Sequence, residues 1–196
     1  MATYLIGTAN QGKIREISAL VKDLPDTFVF LSDLAVDLPE VEENGATYEA
    51  NALIKATAYA QISKLPTLSE DAGLEVHGLN NFPGVLSNRW AVGSDVGRNQ
   101  GILDKLRDSP DRSAHFSATV VLYDPTAHET HTFVGILEGS IADAPRGKDG
   151  FGYDPIFIPS GQDKTMAELG VKWKTANSHR TMAWKLAANY LADQVS

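Results

Sequence analysis

The segment Gly7-Thr8-Ala9-Asn10-Gln11-Gly12-Lys13 constrains this chain most, because the hydrophobic pattern changes period across it. Before it, Thr3 to Thr8 is apolar and β-prone and predicts a buried strand. After it, Ile14, Ile17, Leu20, Val21 and Leu24 recur at helical spacing and predict a helix from about Gly12 to Asp23. Thr27 to Leu31 reads as the next strand, so the chain should open with a right-handed β-α-β unit. A turn that leaves a strand and enters a helix presents backbone N–H groups at the positive end of the helix dipole. Thr8 and Asn10 add side-chain donors, and Lys13 adds a mobile cation. Phosphate suits such a loop. The pattern also describes a plain strand-to-helix turn with a solvated lysine.

The segment matches the first seven positions of a P-loop, G-x-x-x-x-G-K, but Ile14 stands where that motif needs a metal-binding hydroxyl. No later buried strand ends in a clear Walker-B aspartate. Phosphoryl chemistry here would need Mg²⁺ held elsewhere, on hard carboxylate oxygens. Two acidic groups qualify. Glu40, Glu42 and Glu43 fall in a loop expected over residues 37–45, and Glu70-Asp71 follows a short strand expected over Pro66 to Ser69. Ligands of α/β sheets gather at the carboxyl ends of strands, where Asp71 and the Thr8 loop could both lie. Taken singly, the first group also reads as a solvated acidic loop and the second as a turn.

Thr47 to Ile62 predicts a long helix, Asn99 to Arg107 another, and Thr181 to Gln194 a last amphipathic one. Ser113 to Tyr123 and Thr130 to Ala142 predict long antiparallel strands joined at Asp124-Pro125. Pro155 to Ile158 predicts a short strand. Residues 147–155 form a second glycine loop, in which Phe151 and Tyr153 look exposed enough to stack on a base. Asp154 could accept hydrogen bonds from base or ribose. An ordered loop with core aromatics fits equally. Lys172, Lys174, His179 and Arg180 precede or open the last helix, with Ser178 a suitable N-cap, and could form a second anion or base-edge site. His128 and His131 lack the helical spacing of a zinc site, and His77 and His115 show no partner.

Length and composition bound the rest. A chain of 196 residues with 43% hydrophobic and 21% charged residues is globular, and residues 1–196 are expected to form a single domain. A net charge of -8 argues against nucleic acid as partner. The absence of cysteine removes thiolate chemistry and suits a cytoplasmic protein. There is no signal-peptide pattern, and no apolar run approaches the roughly 20 residues that span a bilayer, so no membrane partner is expected.

Together the segments resemble the inosine triphosphate pyrophosphatase family over nearly the whole chain. The residues that carry the resemblance are Thr8 to Lys13; Glu42 to Tyr48; Asn51-Ala52 with Lys55-Ala56; Glu70 to Leu74; Pro83-Gly84-Val85 with Ser87 and Arg89; Gly150 to Pro155; and Lys174 with Ser178-His179-Arg180. The resemblance implies Mg²⁺-dependent hydrolysis of a purine nucleoside triphosphate, preferably with a deaminated base, to the monophosphate and pyrophosphate. On that resemblance, water would attack the α-phosphorus. By position, Asp71 would be the general base and a metal ligand, with Glu43, or Glu42 as second candidate, the other metal carboxylate. Thr8, Ala9, Asn10, Gln11, Gly12, Lys13, Lys55 and Lys174 would hold phosphates, and Ala72, next to Asp71, would also be a substrate-binding position. Phe151, Gly152, Tyr153, Asp154, His179 and Arg180 would hold base and sugar. It also implies a mixed α/β fold, with an elongated mixed sheet flanked by helices and two lobes with a cleft between them, and a homodimer.

Three positions depart from the family pattern. Ala50 stands where a glutamate is common, with Glu49 one place early; Ala72 replaces a serine; and Thr175 follows Lys174 in place of a small or amide residue. Two other readings remain at this level. One is a Maf-like pyrophosphatase acting on pyrimidine or modified nucleotides. The other is a nucleotide-binding protein without catalysis.

Overall fold

The glycine segment does separate a strand from a helix. In a computed structural model, which describes residues 1–34, 36, 38–39, 41–91 and 93–194, β1 (Thr3–Ile6) leads into α1 (Gln11–Val21) and then β2 (Thr27–Phe30). β1 pairs in parallel with β2, Leu5 opposite Val29, and with the start of β3 (Thr67–Val76), Ile6 opposite Leu68. Asn10 starts α1 by accepting from the N–H groups of Gly12 and Lys13. α2 (Tyr48–Ser63) is capped by Thr47 and ends at Lys64, whose φ of 61° is left-handed. Glu40 lies outside the described residues.

The chain divides into two compact units. The first comprises Met1–Asp71, Ala118–Gly135 and Met182–Ser196. Its α2 buries Asn51, Lys55 and Tyr59 along one stripe and Ala52, Ala56 and Ala60 along the next. That is i, i+4, i+8 spacing, so Asn51 and Lys55 share a face. Ala52 and Ala56 pack on Val121, and Tyr59 packs with Leu5 and Leu31.

The second unit comprises Ala72–Ser117 and Ile136–Thr181. Its core joins Leu74 and Val76 of β3, Ile102 and Leu106 of and after α3 (Asp95–Lys105), and Ala114 and Phe116 of β5 (Ser113–Asp124). Ile141 of β6 (Glu129–Ile141), Tyr153, Ile156, Phe157 and Met166 complete it. Within it β3 pairs antiparallel with Phe82–Pro83, labelled β4, and β6 with β7 (Phe157–Pro159). The strand order is β2-β1-β3-β5-β6-β7, with β4 on β3. The architecture is thus mixed α/β, as expected.

Three elements differ from the sequence expectation. β3 does not stop near Ser69 but runs to Val76, so Glu70 and Asp71 sit within a strand. α3 starts at Asp95, a turn early, because Ser94 caps it by accepting from Gly97 N–H. α4 (Met166–Asn177) has no counterpart in the expected elements. It opens on a capping box in which Thr165 N–H donates to Glu168 and Glu168 N–H to Thr165 Oγ1. Gly170, with φ 80° and ψ 175°, then breaks the helix and its apolar period. α5 (His179–Asp193) begins where Ser178 Oγ accepts from Thr181 N–H, as the capping argument expects. No helix among the described residues is long and apolar enough to cross a membrane.

Candidate active site

In the first unit, two ammonium groups and three carboxylates converge on β3. Lys13, from the first turn of α1, places Nζ 3.1 Å from the Glu70 carbonyl oxygen and 3.3 Å from its carboxylate. Lys55, from the inner face of α2, places Nζ 3.0 Å from the same carbonyl, 3.1 Å from Glu43 and 4.0 Å from Asp71. Lys13 is therefore not the mobile cation expected from a first helical turn: it is buried and paired. The other face of the Glu70 carboxylate accepts from Trp184 Nε1 at 2.8 Å.

Asp71 is 5% exposed. Asn51 Nδ2 donates to its Oδ2 at 3.0 Å, while Asn51 Oδ1 accepts from Gly45 N–H at 2.8 Å. Asn51 thus ties the acidic loop to Asp71. Burial pushes the Asp71 carboxyl above its ordinary 3.8. Lys55 and Lys13 pull it down, Glu43 pushes it further up, and the Asn51 hydrogen bond lowers it, but burial prevails. The result is a carboxylate that holds a proton more readily than usual, beside two fixed cations.

The structure separates the two acidic-loop candidates. Glu43 turns to Lys55, whereas Glu42 is exposed. Glu49 accepts from Thr132 Oγ1 at 2.8 Å, on β6, which accounts for it outside this cluster. The Thr8 loop is more closed than a bare phosphate nest. Thr8 Oγ1 accepts from Asn10 N–H, and Asn10 Oδ1 engages the N–H groups of Gly12 and Lys13. Ala9, Asn10 and Gln11 are exposed. Ala72 follows Asp71 in β3 and is half-buried.

In the second unit, Asp154 organises the second glycine loop. Its Oδ2 accepts from Phe151 N–H at 2.8 Å and pairs with Lys174 Nζ at 2.5 Å. Gly150 has φ 85°, and a Cβ there would meet Asp154 Oδ2 at 2.0 Å, so this turn requires glycine. Lys174 Nζ stands 4.2 Å from the centre of the Phe151 ring, and Arg180 Cζ 5.6 Å. His179 is buried and stacks on Phe116, with ring centres 4.6 Å apart and planes 8° apart.

Tyr153 is not the exposed aromatic its glycine neighbours suggest. It is 4% exposed, and its hydroxyl donates to the Ser87 carbonyl and accepts from Trp90 Nε1, both at 2.7 Å. Burial pushes its phenol up to about 12. Its ring belongs to the core rather than to a stacking surface. Tyr153→Phe should lower the unfolding free energy by about 1–3 kcal/mol, since two partners lose theirs. Urea denaturation with an unchanged m-value checks this.

Asn51 and Trp184 are not among the site residues read from the sequence, and Glu70 is a candidate there only as one of the Glu70-Asp71 pair. Asn51 lies inside a motif that carries the resemblance; for Trp184 the sequence offers no signal. The histidines set aside also find partners. His77 Nε2 faces His115 Nδ1 at 3.0 Å, and His131 Nε2 meets the Tyr190 hydroxyl at 2.7 Å. No group of three or more histidine or carboxylate side chains able to hold a metal occurs among the described residues.

The sequence model of the Ham1 family matches residues 4–190. A dITP/XTP pyrophosphatase of Geobacter sulfurreducens is 44% identical over 198 residues, covering 99% of this chain and 98% of the relative. One of Bdellovibrio bacteriovorus is 46% identical, covering 92% of each. A solved structure of a HAM1 protein from Coxiella burnetii superposes with TM-score 0.91 at 37% identity, covering 98% of this chain and all of that one. The Staphylococcus aureus Ham1 protein superposes with TM-score 0.87 at 38% identity, covering 98% and 99%.

Proposed function

Because the chain belongs to the Ham1 family, we propose that it hydrolyses ITP, dITP and XTP to the nucleoside monophosphate and pyrophosphate, with Mg²⁺. The observation that carries this reading is Asp71: a buried carboxylate with a raised pKa, held by Asn51 and set beside Lys55 and Lys13. A non-catalytic binder needs no such base. Asp71 takes a proton from the water that attacks the α-phosphorus.

Glu43 and Asp71 are the carboxylates that would hold Mg²⁺. Among the five clustered groups, three carboxylates face two ammoniums, which leaves the net negative charge a cation needs. Two carboxylates suffice, because Mg²⁺ ordinarily completes its shell with water and substrate phosphates. When bound, the metal supplies charge neutralisation on the phosphates. The chain itself contributes Lys13, Lys55, Lys174 and the loop from Thr8 to Gly12 to the triphosphate. Positive charge and the family resemblance support this, since such catalysis is mostly orientation and electrostatics.

The residues Phe151 to Asp154, with His179 and Arg180, take the base and sugar. Phe151 and the main chain of the loop carry the base contacts, because the Tyr153 ring is in the core. Donors on Arg180 and His179 suit the 6-oxo group of hypoxanthine and xanthine. Adenine offers a donor at that edge, and a buried donor left unmatched disfavours it by up to a few kcal/mol. The family match over residues 4–190 supports reading residues 1–196 as one pyrophosphatase domain. The family resemblance supports a homodimer and a cytoplasmic location.

A panel of ITP, dITP, XTP, ATP, dTTP and UTP with Mg²⁺ tests the reading. Pyrophosphate should appear first, and fastest from the 6-oxopurines. Orthophosphate as first product would mean γ-cleavage. A preference for dTTP or UTP would favour a Maf-like specificity.

A further inference from the structure

We propose that Asp95 and Asn99 are positioning residues for the base. They hold the peptide groups on either side of the Gly152 Cα and so fix the loop that carries Phe151. The proposal rests on the reading of residues 151–154 as the base side of the site.

Asp95 and Asn99 stand one turn apart at the start of α3, on the same helical face. Gly152 N–H donates to Asp95 Oδ2 at 2.6 Å, and Gly152 C=O accepts from Asn99 Nδ2 at 3.1 Å. The two bonds hold the two peptide planes that meet at the Gly152 Cα, so neither turns freely about it. Gly152 needs that restraint, because as a glycine with φ 63° it has no side chain to hold it. Asp95 is itself oriented by an ion pair with Arg98, whose guanidinium also donates to the Gly93 carbonyl.

The orientation of the Asn99 amide follows from its partner. Gly152 C=O only accepts, so the NH₂ group must face it. That leaves Asn99 Oδ1 buried with no hydrogen-bond partner, in a residue 3% exposed. A buried orphan acceptor weakens the fold. A side chain serving stability alone would be apolar at this position. Asparagine is explained by what its NH₂ group holds: the middle of the loop between Phe151 and the Asp154–Lys174 pair.

Releasing the clamp displaces Phe151 and leaves Asp71 and its lysines intact. The loss should therefore fall on ground-state binding, in KM, with kcat nearly unchanged. Asn99→Leu and Asp95→Ala should each raise KM for ITP about tenfold, the size of one lost strong hydrogen bond. Asp95→Asn keeps an oxygen that accepts from Gly152 N–H and should restore most of the affinity. Asn99→Leu, which removes the orphan acceptor, should melt no lower than the parent. Steady-state kinetics of the Mg²⁺-loaded protein and its variants, with thermal melts, test this. Phe151→Ala serves as the reference for the loop.

If Phe151→Ala raises KM but Asn99→Leu and Asp95→Ala do not, the clamp is refuted and the base-side reading stands. If none of the three changes KM, that reading fails and the clamp falls with it. If KM rises only in proportion to lost melting temperature, or kcat falls at constant KM, the two residues are only fold supports. Should Asn99→Leu not fold, the comparison of Asp95→Ala with Asp95→Asn decides alone.

Discussion

Replacing Asp71 by asparagine should abolish turnover and make the protein more stable. The carboxylate is 5% exposed, and burial raises its pKa above 3.8 despite Lys55 and Lys13 nearby. A carboxyl whose folded pKa is raised favours the folded state when protonated, and its ionisation weakens the fold as pH rises through the folded value. Asparagine removes that charge, and its side-chain oxygen can still accept from Asn51 Nδ2. The gain in melting temperature should be full near neutral pH and should vanish below the ordinary carboxylate range. Each kcal/mol recovered corresponds to about 2–4 °C for a chain of this size. Loss of the general base should lower kcat by at least about 100-fold, the lower end for such groups. Nucleotide binding should persist. Melts of the metal-free variant across pH, with single-turnover kinetics, check both halves. Unchanged turnover would remove Asp71 from the mechanism.

Glu70→Leu should have the largest effect on folding. Its carboxylate is wholly buried between Lys13 and the Trp184 indole. Removing it takes the carboxylate partner from a buried ammonium and the acceptor from an indole N–H, a loss of about 3–5 kcal/mol for breaking a buried pair. The melting temperature should fall by roughly 6–20 °C. The double variant Lys13→Met/Glu70→Leu removes both charges and should recover most of that stability, because apolar replacements of buried pairs are often neutral or better. It should nonetheless remain inactive, since Lys13 then no longer reaches the phosphates. A double variant that recovers stability and activity together would show that Lys13 has no part in binding substrate. Thermal melts and ITP turnover of the three proteins decide.

The sequence showed the ligand class of this site more clearly than its geometry. The change of period at Gly7 located β1 and α1, and the Ala-rich run from Thr47 located α2. Which face of α2 is buried was not legible, because apolar residues lie nearly all round it. Only the packed helix shows Asn51 and Lys55 on one stripe. β3 was cut short for a related reason. Most of its residues are buried on both sides, so the alternation that marks a strand is missing, and Glu70-Asp71 looked like its end. Glu42 and Glu43 could not be told apart, since a loop has no period to orient its side chains. Only the position of Lys55 distinguishes them. Tyr153 looked exposed between glycines because its partners, Ser87 and Trp90, lie far off in the sequence. Gly170 hid α4 by interrupting its period.

The Gly7 to Lys13 segment suggested phosphate, yet in the folded chain two of its helix N–H groups are already capped by Asn10 and its lysine is paired. On the proposed reading the chemistry rests on β3, where Asp71 lies, and on what α2 brings to it. Hydrolysis of dITP in water labelled with heavy oxygen tests that account most directly. If Asp71 delivers water to the α-phosphorus, the label appears in dIMP and none in pyrophosphate. Label in pyrophosphate, or in orthophosphate as first product, would contradict it.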